Sequence, residues 1–163
     1  MRARFLRRKW TVATVVGVAV IGTLAAVALA SPGSGFVPTT LVTANFDNTV
    51  HVNSDKVKFQ TKDPTDVRVQ KIVFSPGGVS GWHHHPGFVI GAVASGSVTF
   101  MSSDCSSKTY GPGLPDGSVL IESGDDPGQA SSAGGATVYA TFVAPRAIPS
   151  VFRIEDGKPP CAP

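Results

Sequence analysis

Beyond residue 38, the chain consists of short runs of β-branched and aromatic residues separated by turn residues. No segment in this part repeats apolar residues at helical spacing over three turns, and many short strands at such spacing are typical of an all-β sandwich or barrel. The predicted strands are Thr40–Ala44, Val50–Asn53, Val57–Thr61, Val67–Ser75, Phe88–Ala94, Ser97–Ser102, Ser118–Glu122, Thr137–Ala144 and Val151–Ile154. We therefore expect an all-β domain over residues 39–163, ending in a Pro-rich tail.

The N-terminal part has a different pattern. Residues 11–30 carry no charge and follow a basic cluster at residues 2–9. As a helix rising about 1.5 Å per residue, this run is long enough for the roughly 30 Å hydrocarbon core of a bilayer, with the basic cluster on the cytoplasmic side. The small residues Ala28 and Ala30 also fit a signal peptide cleaved after Ala30. An N-terminal transmembrane anchor and a cleaved signal both remain open, and both place the domain outside the cytoplasm.

Between this run and the first strand, residues 31–38 are rich in Gly, Ser and Pro and predict a flexible linker.

The distribution of charge along the chain excludes one class of partner. Five of the fourteen basic residues precede the apolar run, whereas all eleven acidic residues follow it, so the part beyond residue 30 has a net charge of −2. Nucleic-acid binding needs a basic stripe on the folded part, and none is visible, so no nucleic-acid partner is expected.

Two cysteines, Cys105 and Cys161, are far apart in sequence and belong to no C-x-x-C pair. In an oxidising compartment, two such cysteines in one small domain most often form a disulfide. Closing a loop of this size stabilises a fold by roughly 2–4 kcal/mol. The bridge would hold the Pro-rich tail against the domain.

Candidate chemistry is concentrated in the segment Trp82–His85. If this segment is extended, His83 and His85 share one face, and His84 points to the other with Trp82. Two imidazoles on one face can reach the same metal ion, although even catalytic zinc sites usually have three protein ligands. Hydrogen bonding at a barrel opening, without metal, is an equally open interpretation of the pair.

The frame around these histidines resembles the cupin superfamily. The first cupin motif has a Gly, five residues, His-x-His, three or four residues, a Glu, six residues and a Gly. Gly77, His83, His85 and Gly96 fall on this spacing, and Val89 stands at the Glu position. The resemblance covers about residues 67–145. It implies a double-stranded β-helix, or jelly-roll barrel, preceded here by one N-terminal hydrophobic helix.

Cupins usually bind metal through these two histidines, the Glu and a third His from a second motif. With one extra residue allowed, the third His position falls on Gln129, so the resemblance implies a reduced ligand set of His83, His85 and Gln129. The expected metal is a divalent transition metal, Zn, Fe, Ni, Cu or Mn. Asp125 and Asp126 are possible substitutes. Glu122 ends a predicted strand, where it can be buried near the site or can equally be a surface carboxylate.

Three functions remain open. The first is an extracytoplasmic cupin module that binds a small ligand or a weakly held metal without robust catalysis. The second is a metal-dependent cupin enzyme of oxygenase or isomerase type, which requires a third ligand. The third is a structural barrel at the cell surface whose interior is closed by side chains such as Val89. The sequence does not distinguish a monomer from a homodimer.

Overall fold

The computed structural model describes residues 32–163. The predicted N-terminal helix and the cleavage position at Ala30 lie outside these residues. Within the described part, no helix is long and apolar enough to cross a membrane.

All regular structure in the described residues is β-strand. One sheet contains ten strands, and a separate hairpin is formed by β2 and β3. The strands are β1 Pro32–Phe46, β2 His51–Asn53, β3 Lys58–Gln60, β4 Thr65–Gly81, β5 His83–His84, β6 Phe88–Gly96, β7 Val98–Ser102, β8 Ser107–Tyr110, β9 Val119–Glu122, β10 Gly128–Ser132, β11 Ala136–Pro145 and β12 Ile154–Glu155. Every strand pair is antiparallel.

The long strand β4 contributes to two walls of the barrel: its first part belongs to one wall, and its last part belongs to the other. Its first part, through Phe74, pairs with β11, which in turn pairs with β6, and β6 pairs with β9. After an irregularity around Gly77, where φ is 75°, Gly78 and Val79 pair with β10 instead. Glycine tolerates this left-handed backbone because it has no Cβ. This bend within one strand carries β4 from one wall to the other.

Strand residues alternate between the two faces of the sheet, and most of the residues that face the interior are apolar. In β11, for example, Ala136, Val138 and Ala140 are buried, whereas Tyr139 is 44% exposed. Both walls contribute to one buried cluster: Ile72, Phe74, Val89, Val93, Val98, Leu120, Ala130, Ala136, Val138, Ala140, Phe142, Ala144 and Phe152. The expected all-β barrel is confirmed.

Residues 32–38 differ from the prediction of a flexible linker. They form the first part of β1, which pairs with β4 from Pro32 opposite Gly81 to Phe46 opposite Thr65. Backbone pairing and the packing of Phe36 on Phe74, with ring centroids 5.2 Å apart, give this segment a partner that its composition does not reveal. β1 has β4 as its strand partner and lies at an edge, where proline is tolerated.

Two strands were missed because their sequences are polar or small. β8 contains Ser107 and Lys108, and β10 begins at Gly128. At Gly128 a Cβ would collide with the ring of Phe100. Local β propensity is weak in both strands, and pairing with neighbouring strands decides their conformation.

The C-terminal strap, residues 146–163, crosses the barrel after β11. The predicted strand Val151–Ile154 is realised only as the two-residue β12, which pairs with β5. The strap ends in the disulfide between Cys105 and Cys161, which confirms the predicted bridge.

Candidate metal and ligand site

Strand β5 holds His83 at the barrel interior, and His85 follows directly after the strand. The strand follows Gly81, whose φ of 75° turns the chain after β4, and it lies between β10 and β12. His83 and His85 are only 5% and 4% exposed, and their rings meet edge to face with centroids 4.8 Å apart. His84 points away and contacts Asp156 at 2.7 Å. The alternation predicted from the sequence is therefore present.

Glu122 joins the pair from the end of β9. Its Oε2 lies 3.2 Å from Nε2 of His85 and 4.0 Å from Nε2 of His83. In the register of β6 and β9, Glu122 lies directly opposite Val89. Residues opposite each other in an antiparallel pair point to the same face, so the carboxylate enters the interior beside the valine. One ligand atom from each of His83, His85 and Glu122 lies within 4.8 Å of the others.

Backbone carbonyl groups orient both imidazoles. Nδ1 of His83 donates a hydrogen bond of 2.9 Å to the carbonyl of Gly81, and Nδ1 of His85 donates to the carbonyl of Phe152. A carbonyl oxygen only accepts hydrogen bonds, so in each neutral ring the proton is on Nδ1 and the lone pair is on Nε2. Both lone pairs are then on the side of Glu122. Such orientation by groups outside the ligand set is usual for metal-binding histidines.

The lowered pKa of His83 keeps its imidazole neutral and so favours metal binding. Its pKa is lowered to about 4, mainly because burial disfavours the charged ring and also because of the positive charge of Arg153. The carboxylate of Glu122 and the carbonyl of Gly81 act in the opposite direction but do not outweigh the burial. His83 is therefore neutral near pH 7, the state in which an imidazole can bind a metal.

One of the distances between these ligand atoms already suits a metal ion. Two donors at about 2.1 Å from one ion lie roughly 3.0–3.4 Å apart in tetrahedral or octahedral geometry. The separation of 3.2 Å between His85 and Glu122 falls in this range. Nε2 of His83 lies 4.0 Å from Glu122, and the three ligand atoms lie within 4.8 Å of one another, so His83 needs a shift on the order of 1 Å to complete the set.

A cavity of about 390 Å³ opens beside the three side chains. Its walls are mostly apolar, and the strap contributes residues 150–153 to them. The polar and charged lining residues are Arg68, Gln70, Ser80, His83, His85, Glu122, Ser150 and Arg153. A cavity of this size with few polar groups is typical of a small-molecule site. It contradicts a barrel filled by side chains such as Val89.

Gln129 is not part of this arrangement. It lies on β10 between the buried residues Gly128 and Ala130, and its side chain does not line the cavity. Asp125 and Asp126 are exposed in the turn before β10, where Asp126 accepts a hydrogen bond from Ser103. The structure thus brings together His83, His85 and Glu122, whereas the motif alignment pointed to Gln129. The signal for Glu122 in the sequence was its place at the end of a strand.

The rolled antiparallel sheet, with a histidine pair beside its internal cavity, is a double-stranded β-helix of the cupin type. The chain matches no protein-family model, and no curated protein matches it. It is similar to a solved cupin superfamily protein from Desulfitobacterium hafniense, with 12% identity over 67% of this chain and 77% of that chain and a TM-score of 0.46.

Two further solved structures resemble it at the same level. A cupin-2 domain from Rhodospirillum rubrum has 13% identity over 72% of this chain and 68% of that chain, with a TM-score of 0.47. A conserved protein of unknown function from Streptococcus pyogenes has 15% identity over 69% and 76%, with a TM-score of 0.48. Similarity at this level assigns no activity, so the chemistry of the site has to come from its own residues.

Proposed function

We propose that this protein binds a divalent transition metal through His83, His85 and Glu122 and uses the metal to hold a small molecule in the barrel. The three side chains supply two imidazole nitrogens and one carboxylate oxygen. Such a set leaves coordination positions open, as in catalytic zinc sites and in iron sites with two histidines and a carboxylate. When bound, the metal would polarise an oxygen of the ligand.

The observation that carries the proposal is the convergence of three acceptor atoms. With both Nδ1 atoms bound to carbonyl groups, Nε2 of each neutral histidine and Oε2 of Glu122 are all acceptors. Lone pairs at such distances repel each other unless a proton or a cation lies between them. A metal cation satisfies all three atoms at once, whereas a single proton on one nitrogen satisfies only the closest pair.

Metal content tests the proposal directly. We expect the untagged full chain, dialysed against micromolar zinc and then against buffer, to retain about one equivalent by elemental analysis. Glu122→Gln keeps the size of the side chain but removes its charge. Loss of an outer hydrogen-bond partner alone costs about 10–100-fold in metal affinity, so loss of a ligand should cost on the order of 100-fold or more.

His51→Ala is the matched control, because it removes an exposed imidazole from the separate hairpin of β2 and β3. Retention by this variant and loss by Glu122→Gln would support the proposed site. Equal retention by wild type and by His83→Ala/His85→Ala would refute it, as would the absence of zinc binding in the wild type.

Catalysis at the same metal is a second candidate, favoured by the three-ligand set with open positions facing a cavity. Oxygen consumption by the Fe(II)-loaded chain, screened with small organic acids and phenols, tests the oxygenase type. A signal that persists in Glu122→Gln would not come from this centre.

We also propose that the domain works outside the cytoplasm, either anchored by residues 11–30 or released after cleavage at Ala30. Its disulfide is in keeping with an oxidising compartment. N-terminal sequencing of the mature protein discriminates the two forms, since a cleaved chain begins at Ser31. Recovery of the intact chain in the cytoplasmic fraction would contradict both.

A further inference from the structure

A single row of inward-facing residues crosses four strands of the barrel wall. Glu122 on β9 lies opposite Val89 on β6, Val89 opposite Phe142 on β11, and Phe142 opposite Arg68 on β4. The row therefore begins with a carboxylate, has two apolar side chains in its middle, and ends with a guanidinium. Three strand spacings separate its ends, about 14 Å along the curved sheet.

Arg68 is a half-buried cation that lines the cavity. Its guanidinium lies over the ring of Phe152, 4.2 Å from the centroid, and its Nε donates a 3.3 Å hydrogen bond to Thr43. Among the ion pairs found in residues 32–163, none includes Arg68. Arg153, the other arginine of the cavity, is already paired with Glu155. Arg68 thus offers the cavity an uncompensated positive charge.

The next row of the wall also lines the cavity. There Leu120 on β9 lies opposite Gly91, Gly91 opposite Ala140, and Ala140 opposite Gln70. Gly91 and Ala140 are small, and Leu120 packs so closely that a Cβ on Gly91 would lie only 3.1 Å from its side chain. Gln70, beside Arg68 on β4, adds an amide at the positive end of the cavity.

From this placement we infer that the ligand is a short two-ended organic anion: one end has oxygen donors for the metal, and the other is a carboxylate held by Arg68. The first end rests on the proposed metal site. A guanidinium binds a planar carboxylate through two parallel hydrogen bonds, which suits the second end. The middle of the ligand is apolar, because it lies over Val89, Phe142 and Ala140.

Two acids that differ only at the distal end test the inference. 2-Oxoglutarate and 2-oxopentanoate share the same 2-oxo acid donors, but only the first has a second carboxylate. Zinc stoichiometry of the full chain is measured first, and both acids are then titrated calorimetrically into the zinc-loaded protein. One charge-assisted contact is worth roughly tenfold in affinity or more. We expect 2-oxoglutarate to bind more tightly by about that factor.

Arg68→Gln should reduce this preference to less than about threefold and leave the affinity for 2-oxopentanoate unchanged. Lys71→Gln removes one positive charge from an exposed position of the same strand and should preserve the preference. Arg68→Lys keeps the charge and should retain part of it, which separates loss of charge from misfolding.

The outcomes distinguish the two ideas. Failure of the chain to bind zinc would overturn both the metal site and the two-ended ligand. Zinc binding without binding of either acid, with equal affinities for both, or with a preference that survives Arg68→Gln would overturn only the present inference.

Discussion

Glu122 and Val89 lie opposite each other, so a carboxylate at either position would face the histidine pair. In the cupin motif that the chain resembles, the carboxylate belongs at the position of Val89. Here it enters from the neighbouring strand, directly across from that valine. Cβ atoms of such a pair are about 4.5–5.5 Å apart, so a side chain as long as glutamate can reach the same histidines from either position.

A swap of the two residues tests this relation. Glu122→Val should reduce zinc affinity on the order of 100-fold or more, since the only anionic ligand is lost. Val89→Glu in the same chain should restore at least about tenfold of it, because the carboxylate again faces His83 and His85. Competition with a chromophoric chelator gives the affinities. An affinity of the double variant no higher than that of Glu122→Val would contradict the relation.

At the scale of elements, the strap is attached to β4 through Asp66. This nearly buried carboxylate accepts hydrogen bonds from the hydroxyl of Ser150 at 2.7 Å and from Arg146 at 3.3 Å. The Ser150 hydrogen bond is the main cause that lowers the pKa of Asp66, and it outweighs the opposing effect of burial. These contacts place the adjoining residues 150–153 against the cavity.

The lowered pKa predicts a pH dependence with a definite sign. Because the unfolded chain takes up the Asp66 proton at a higher pH than the folded chain, the ionised group stabilises the fold above its ordinary pKa of 3.8. This contribution is lost as pH falls through the lowered value. Asp66→Asn should therefore be less stable than wild type at pH 6, with the difference shrinking on acidification below pH 4.

Urea unfolding of both proteins at several pH values measures the difference. Asp116→Asn is the control, because it removes the same charge from an exposed site. Its free energy of unfolding should differ little from that of wild type at every pH. A deficit of Asp66→Asn that stays constant down to pH 2 would contradict the prediction.

For the whole molecule, the disulfide connects the strap beside the proposed metal site to the loop between β7 and β8. The strap supplies the carbonyl of Phe152 that orients His85, and β12 pairs beside His83. Its end is held by Cys161 bound to Cys105. Removal of the bridge therefore loosens the segment that orients His85 and that pairs with the strand of His83.

Cys105→Ser/Cys161→Ser should lower the free energy of unfolding by roughly 2–4 kcal/mol. Zinc affinity should fall about tenfold, as for the loss of an outer partner of a ligand. Chemical denaturation and chelator competition measure the two effects. Ser107→Ala, an exposed change on β8, is the control. Unchanged zinc affinity in a destabilised double variant would show that the strap does not position His85.

Much of the molecule could be predicted from local pattern. Period-two alternation gave His83 and His85 a common face, and turn residues between β-rich runs predicted the all-β class. Strands β8 and β10 were not predicted, because their local β propensity is low and pairing with neighbouring strands decides their conformation. Gln129 was selected by counting residues along one motif, whereas a ligand set depends on which strands lie side by side.

The sequence alone therefore determined the fold class, the histidine pair and the candidate disulfide, since each follows from short-range periodicity or from residue chemistry. Only the tertiary structure decided that Glu122 lies beside His83 and His85, that residues 32–38 form a strand, and that Arg68 lines the same cavity. The physical reason is register. Which residues of β9, β6, β11 and β4 stand opposite one another is settled by long-range pairing and core packing, which no single segment encodes.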